Sequence, residues 1–163
     1  MLYCISIMNI LIVYATNSGS TYEAAKIVRD ILNEHKHIAS IKSVIEAQSD
    51  DLSAHDAFVF GSCTWQWTNK EGKILDGELP QHFNDFICRI EGASLKKKHC
   101  AVFGMGDHSY SNYCAAAERL SEFVKTFGGT LVGEPLKVGE FFFDLPNNTN
   151  RVSSWARGIS SLF

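Results

Sequence analysis

Basic charge is scarce where it would say most. The chain of 163 residues carries 15 Lys and Arg against 18 Asp and Glu, and none of the bases falls between Met1 and Ala25. The only basic run, Lys96-Lys97-Lys98, precedes an apolar strand and reads as a solvated turn. Without a basic stripe, nucleic acid is excluded as the main partner. Among the five cysteines (Cys4, Cys63, Cys88, Cys100 and Cys114) there is no CxxC pair. An odd count without that spacing argues for reduced thiols in a cytoplasmic protein, against a disulfide framework and against zinc. The apolar segment 1–8 is too short to span a bilayer and lacks the basic start of a signal peptide. It reads either as an upstream extension or as a continuation of the first strand. No GKS or GKT occurs, which excludes a P-loop nucleotidase. A phosphoacceptor receiver needs acids after strand one and at the end of strand three, where Thr16 and Ser62-Cys63 stand instead. No repeat, low-complexity tract or linker interrupts the chain, so residues 1–163 are read as one domain with a substantial core.

What is present is alternation. Apolar runs predict strands over 9–15, 38–45, 56–62, 99–105 and 130–138. Helical periodicity predicts helices over 20–34, 80–91, 112–127 and 148–161. This order implies βαβ units: an α/β fold whose parallel sheet is covered on both faces. The runs AFVFG and CAVFGMG are continuously apolar, as central parallel strands are. Gly128-Gly129 provides the expected stop after the helix over 112–127. In such sheets ligands sit beyond the carboxyl ends of the strands, where strand order reverses. Three loops leave such ends, at 16–21, 61–79 and 104–113, and all three carry unusual residues.

The first is the most informative. The strand ending at Tyr14 breaks into Thr16-Asn17-Ser18-Gly19-Ser20-Thr21, and a helix follows at once, with Ala24, Ile27, Val28, Ile31 and Leu32 on one face. A helix N-terminus with unpaired N–H groups and a partial positive charge favours an anion, here with hydroxyls rather than bases around it. The same residues also read as a plain helix start with Ser20 and Glu23 as a capping box.

With the three loops taken together, about residues 9–162 resemble the flavodoxins. Ile12 to Thr21 is similar to that family's phosphate loop. Gly61-Ser62-Cys63-Thr64-Trp65 with Asp76-Gly77-Glu78-Leu79-Pro80 is similar to its inner flavin loop. Phe103 to Tyr110 is similar to its strand-four loop. The resemblance implies a three-layer sandwich with a five-stranded parallel sheet in the order 2-1-3-4-5, an arrangement for which flavodoxin itself is a standard example. It implies FMN bound non-covalently and a low-potential one-electron carrier rather than an enzyme. The carrier would be a cytoplasmic monomer meeting a flavodoxin reductase and acceptor enzymes transiently, away from membranes. An activator of ribonucleotide reductase, an FMN-dependent quinone reductase and a non-redox interaction module are the rival readings. Carried over by position, Thr16, Asn17, Ser18, Gly19, Ser20 and Thr21 would hold the phosphate. Trp65 and Tyr110 would sandwich the ring, each stacked pair adding roughly 0.5–1.5 kcal/mol beyond area burial. Asp107 would accept from a ring N–H or cap the next helix. Backbone groups of Ser62, Cys63, Thr64, Met105, Gly106 and Cys114 would edge the ring and ribityl chain. Asp76, Glu78 and Asp107, with Glu71, would lower the potential, offset in part by Lys70 and Lys73. A carboxylate about 8 Å from a flavin anion costs roughly 2 kcal/mol at an effective dielectric near 20.

Two positions depart from the family pattern. Trp65 to Pro80 is longer than usual, and the extra residues read as a tolerated loop extension. If Trp67 rather than Trp65 stacked, Thr68 would follow it. Phe141-Phe142-Phe143 reads as core at the sheet edge. The family commonly has Gly after the stacking Trp, where a peptide flips on reduction; here the residue is Gln66. A non-Gly residue in the left-handed region costs roughly 1–2 kcal/mol. Gln66→Gly is therefore expected to raise the yield of one-electron-reduced flavin in an anaerobic redox titration; equal yields in the two proteins would refute this.

Overall fold

The computed structural model describes residues 6–108 and 112–163. Strands β1 (Asn9–Ala15), β2 (Ile38–Ser43), β3 (Ala57–Cys63), β6 (His99–Gly106), β7 (Thr130–Leu131) and β8 (Leu136–Gly139) build the main sheet. Its order is β2-β1-β3-β6-β7, with β8 also on β6, and every pairing is parallel. Helices α1 (Ser20–Glu34), α2 (Ser49–Ala54), α3 (Gln81–Arg89), α4 (Ala116–Thr126) and α5 (Leu145–Ser160) connect or follow the strands. A two-stranded antiparallel hairpin, β4 (Trp65–Thr68) with β5 (Ile74–Glu78), stands apart from the sheet.

Successive residues of a strand point to opposite faces, and β1 is apolar on both. Leu11, Val13 and Ala15 join Phe58, Phe60 and Val102 in one core with α3 and α4. Ile10 and Ile12 join Val59, Ala101 and Phe103 in the other, with α1 and α5. The first core is organised around Phe123 of α4. Its ring lies edge-on to Phe60 at 5.0 Å and to Phe83 at 5.5 Å, and tilted against Phe127 at 4.9 Å.

The doubly covered parallel sheet and its order agree with the expectation. The fifth position is split, however. Pro135 has no N–H to donate, and Gly133 takes φ +68°, so the run expected over 130–138 leaves the ladder between β7 and β8. The helix expected over 112–127 starts only at Ala116, because Cys114 before it has φ +50°. The helix expected over 148–161 starts earlier, with Pro146 in its first turn. Helix α2 is too short to leave a period; Asp51 accepts the Gln48 N–H (2.8 Å) and bonds Lys42 Nζ (2.7 Å). The long 66–79 loop is an ordered hairpin. Asn69 Oδ1 accepts the N–H groups of Glu71 (3.0 Å) and Lys73 (2.8 Å), and Gly72 turns the chain at φ +78°.

Of the segment read as extension or strand continuation, residues 1–5 lie outside the described residues. Met8 is tied to the edge of the sheet, its carbonyl accepting the Ile38 N–H at 2.9 Å. No helix among the described residues is long and apolar enough to cross a membrane.

Removing the Phe123 ring empties the centre of one core. Phe123→Ala is expected to cost about 3–5 kcal/mol, read as a lower urea midpoint at unchanged slope.

Candidate functional site

Parallel pairing brings the carboxyl ends of β1, β3 and β6 to one level. Ala15 lies beside Ser62, and Cys63 beside Met105. The loops that leave these ends surround a cleft of about 370 Å³. Asn17, Ser18 and Ser20 line it from the first loop; Cys63, Thr64 and Trp65 from the second; Met105, Gly106 and Asp107 from the third. Nine residues singled out from the sequence thus meet in one place.

The first loop is built around Gly19. It caps α1 at φ +92° with open space where a side chain would stand, and its N–H donates to Thr16 Oγ1 at 3.0 Å. No side chain caps the helix, so the Ser20–Glu23 capping box is not formed: Ser20 is already helical, and Glu23 pairs with Lys26 at 2.8 Å. Helical bonding begins with the Glu23 N–H on the Gly19 carbonyl, 3.1 Å away. The amides of Ser20, Thr21 and Tyr22 therefore precede the ladder, as first-turn donors do. Thr21 is fully buried, and its Oγ1 has no hydrogen-bond partner among the described residues. A buried hydroxyl left unsatisfied costs about 1–3 kcal/mol. Thr16, Gly19 and Thr21 shape the loop without lining the cleft.

The second and third loops are locked to each other by Thr64. Its N–H and its hydroxyl both donate to the Met105 carbonyl, at 2.9 and 2.8 Å, and the hydroxyl accepts the Ala116 N–H at 3.2 Å. One side chain thus joins β3, β6 and the start of α4. Gly106 allows close passage here: a Cβ on it would lie 2.9 Å from the Cys114 nitrogen. Ser62 and Cys114 are buried beneath the rim. Trp65 is 40% exposed and faces the cleft, whereas Trp67 donates its indole N–H to the Leu79 carbonyl at 3.0 Å. Gln66 is exposed between them at a bulge in β4, and its φ is not positive. Tyr110 lies outside the described residues.

Burial pushes the Cys63 thiol up to about 11 and the Cys114 thiol to about 11, and so neutral thiols line and underlie the cleft near pH 7. Asn17 donates to the Cys63 sulfur at 3.5 Å. Of the acids expected to bear on a ligand, Asp107 lines the cleft. Glu78 instead pairs with Arg119 at 2.9 Å, and Asp76 faces a separate recess beside Gly77 and Asn112.

Sequence reasoning missed one wall. Glu140, Phe141, Phe142 and Phe143, from the turn between β8 and α5, complete the cleft. The reading of the Phe triplet as core holds for Phe141 alone, which is 3% exposed. Phe142 and Phe143 are 52% and 90% exposed. No periodic pattern marks a turn of this kind; three aromatics in a row after a strand were the available signal.

A family model described as flavodoxin matches residues 12–141. A flavodoxin from Maridesulfovibrio salexigens is 29% identical over 151 residues, covering 92% of this chain and 95% of its own. The structure of oxidised flavodoxin 2 from Bacillus cereus superposes with a TM-score of 0.79 at 29% identity, covering 95% of this chain and 99% of its own. The Fusobacterium nucleatum flavodoxin bound to flavin mononucleotide shares the fold, with a TM-score of 0.77 at 17% identity over 96% of this chain and 99% of that one.

A thiol raised by burial reacts only once ionised. Alkylation by iodoacetamide at pH 8, followed by peptide mass mapping, is expected to label the exposed Cys88 well before Cys63, Cys100 or Cys114. Labelling of Cys63 is expected to accelerate as pH rises towards 11.

Proposed function

The chain belongs to the flavodoxin family, and from that premise we propose that its cleft binds FMN and that the protein is a low-potential one-electron carrier. The observation that carries this reading is the convergence of three rim loops on one cleft, with Asn17, Ser18 and Ser20 at the start of α1 on one side and Trp65 and Asp107 on the others. When bound, FMN supplies reversible one-electron chemistry that no side chain offers.

The protein's own work is binding, orientation and electrostatics. Asn17, Ser18 and Ser20 present hydroxyls, an amide side chain and helix-start N–H groups to the phosphate, while Thr16, Gly19 and Thr21 shape the loop, with the α1 dipole behind them. Lys26, the first base in the chain, is engaged with Glu23 and the Tyr22 ring, which leaves the task to uncharged groups. Trp65 offers a flat face to the ring system. Ser62, Cys63, Thr64, Met105, Gly106 and Cys114 form the bed along its edge, and neutral thiols there add no charge. Asp107 holds a carboxylate where a ring N–H can donate. Glu140, beside the same loop and bonded to His108, adds a second acid. In a site partly shielded from water, these charges disfavour added negative charge and so lower the potential. The Trp65 side of the cleft remains open enough for electrons to reach a partner. Transient contact with a reductase and acceptor enzymes, action as a monomer and residence in the cytoplasm follow from the same reading.

Purified protein is expected to be yellow, and apoprotein to quench FMN fluorescence. Ser20→Ala is expected to weaken FMN binding tenfold or more, the order of a lost hydrogen bond to a charged group. Riboflavin, which lacks the phosphate, should be little affected. Colourless protein that leaves added FMN fluorescence unchanged would refute the proposal.

A further inference from the structure

The turn between β8 and α5 is not among the loops that the sequence pattern assigns to the cofactor, yet it supplies four consecutive residues to the cleft. Its geometry is fixed from three sides. The Glu140 N–H donates to the Gly106 carbonyl at 3.1 Å, extending the β6–β8 pairing that ends at Gly139. The Glu140 carboxylate accepts the His108 backbone N–H at 2.7 Å and bonds His108 Nδ1 at 2.6 Å. The His108 ring in turn stacks on Tyr113, with centroids 4.0 Å apart. Phe141 anchors the turn in the core beneath. Glu140 itself sits at φ +43°, an uncommon conformation for a residue with a side chain, held by these contacts.

This clasp holds Phe142 at the cleft. Its ring meets Phe141 edge-on at 5.4 Å, and it lines the cavity while half exposed. A large aromatic side chain held in this way gains most if a flat apolar ligand covers its free surface.

Resting on the FMN reading above, we propose that the β8–α5 turn is a fourth wall of the cofactor site. Phe142 touches the flavin directly, and Glu140 is a positioning residue that fastens this wall to the loop beginning at Asp107. The occupant is the isoalloxazine ring, not a protein partner, because Phe142 faces the same cavity as Trp65 and Asp107.

The test compares wild type with Phe142→Ala, Phe142→Tyr and Glu140→Gln, by FMN titration of apoprotein and by iodide quenching of residual flavin fluorescence in the loaded protein. Phe142→Ala is expected to weaken FMN and riboflavin alike, by about tenfold, and to admit more quencher. Phe142→Tyr should restore both. Glu140→Gln keeps one acceptor oxygen but loses the charge that strengthens the clasp. It is expected to weaken FMN binding several-fold and to raise the flavin midpoint potential, a shift that a purely structural role would not produce. Urea midpoints of the apoproteins report folding separately. If wild type binds FMN while Phe142→Ala binds it within twofold of wild type, the fourth wall is wrong and the FMN reading stands. If Phe142→Ala loses only electron transfer to a partner protein, Phe142 is a docking residue, which also overturns the proposal. Wild type that fails to bind FMN refutes the underlying reading instead.

Discussion

Burial of the central strands on both faces is the constraint from which the rest follows. β1, β3 and β6 are covered by two apolar cores, and polar chemistry placed within them would be costly to desolvate. The parallel ladder then does two things at once. It satisfies the backbone inside the core, and it brings three strand ends level at one rim. The loops at that rim are the part of this framework free to hold hydroxyls, carboxylates and exposed rings. The single Thr64 hydroxyl ties the second and third of these loops together, since Met105 of β6 and the first residue of α4 both bond to it.

The loop at Thr16–Thr21 is polar without being basic, while Trp65, Met105 and Phe141 to Phe143 make much of the remaining cleft apolar. A loop made of hydroxyls and first-turn amides offers preorganised dipoles close at hand rather than long cationic side chains. Such a loop depends on geometry, and so the left-handed backbone at Gly19 matters more than any one donor. The acids stand on the other walls.

The sequence was most legible where period and position coincide. The apolar runs of β3 and β6 and the Thr16–Thr21 loop declared themselves, because burial on both faces and a helix start each leave a local pattern. Less legible was whatever depends on contacts distant in the chain. That Trp65 faces the cleft while Trp67 is held by Leu79 is decided by a bulge in the hairpin. The Glu78 carboxylate reads as a free acid until Arg119, far along the chain, is seen beside it. The aromatic run at 141–143 divides between core and cleft because a positive φ at Glu140 reorients the chain.

The β4–β5 ribbon carries Trp65 yet joins no third strand. Two strands alone are marginal in water, and local opening costs least where backbone pairing is thinnest. This ribbon is thus held less firmly than the doubly covered sheet it adjoins. One wall of the cleft, carrying Trp65, can therefore open locally while the sheet and α1 keep their packing.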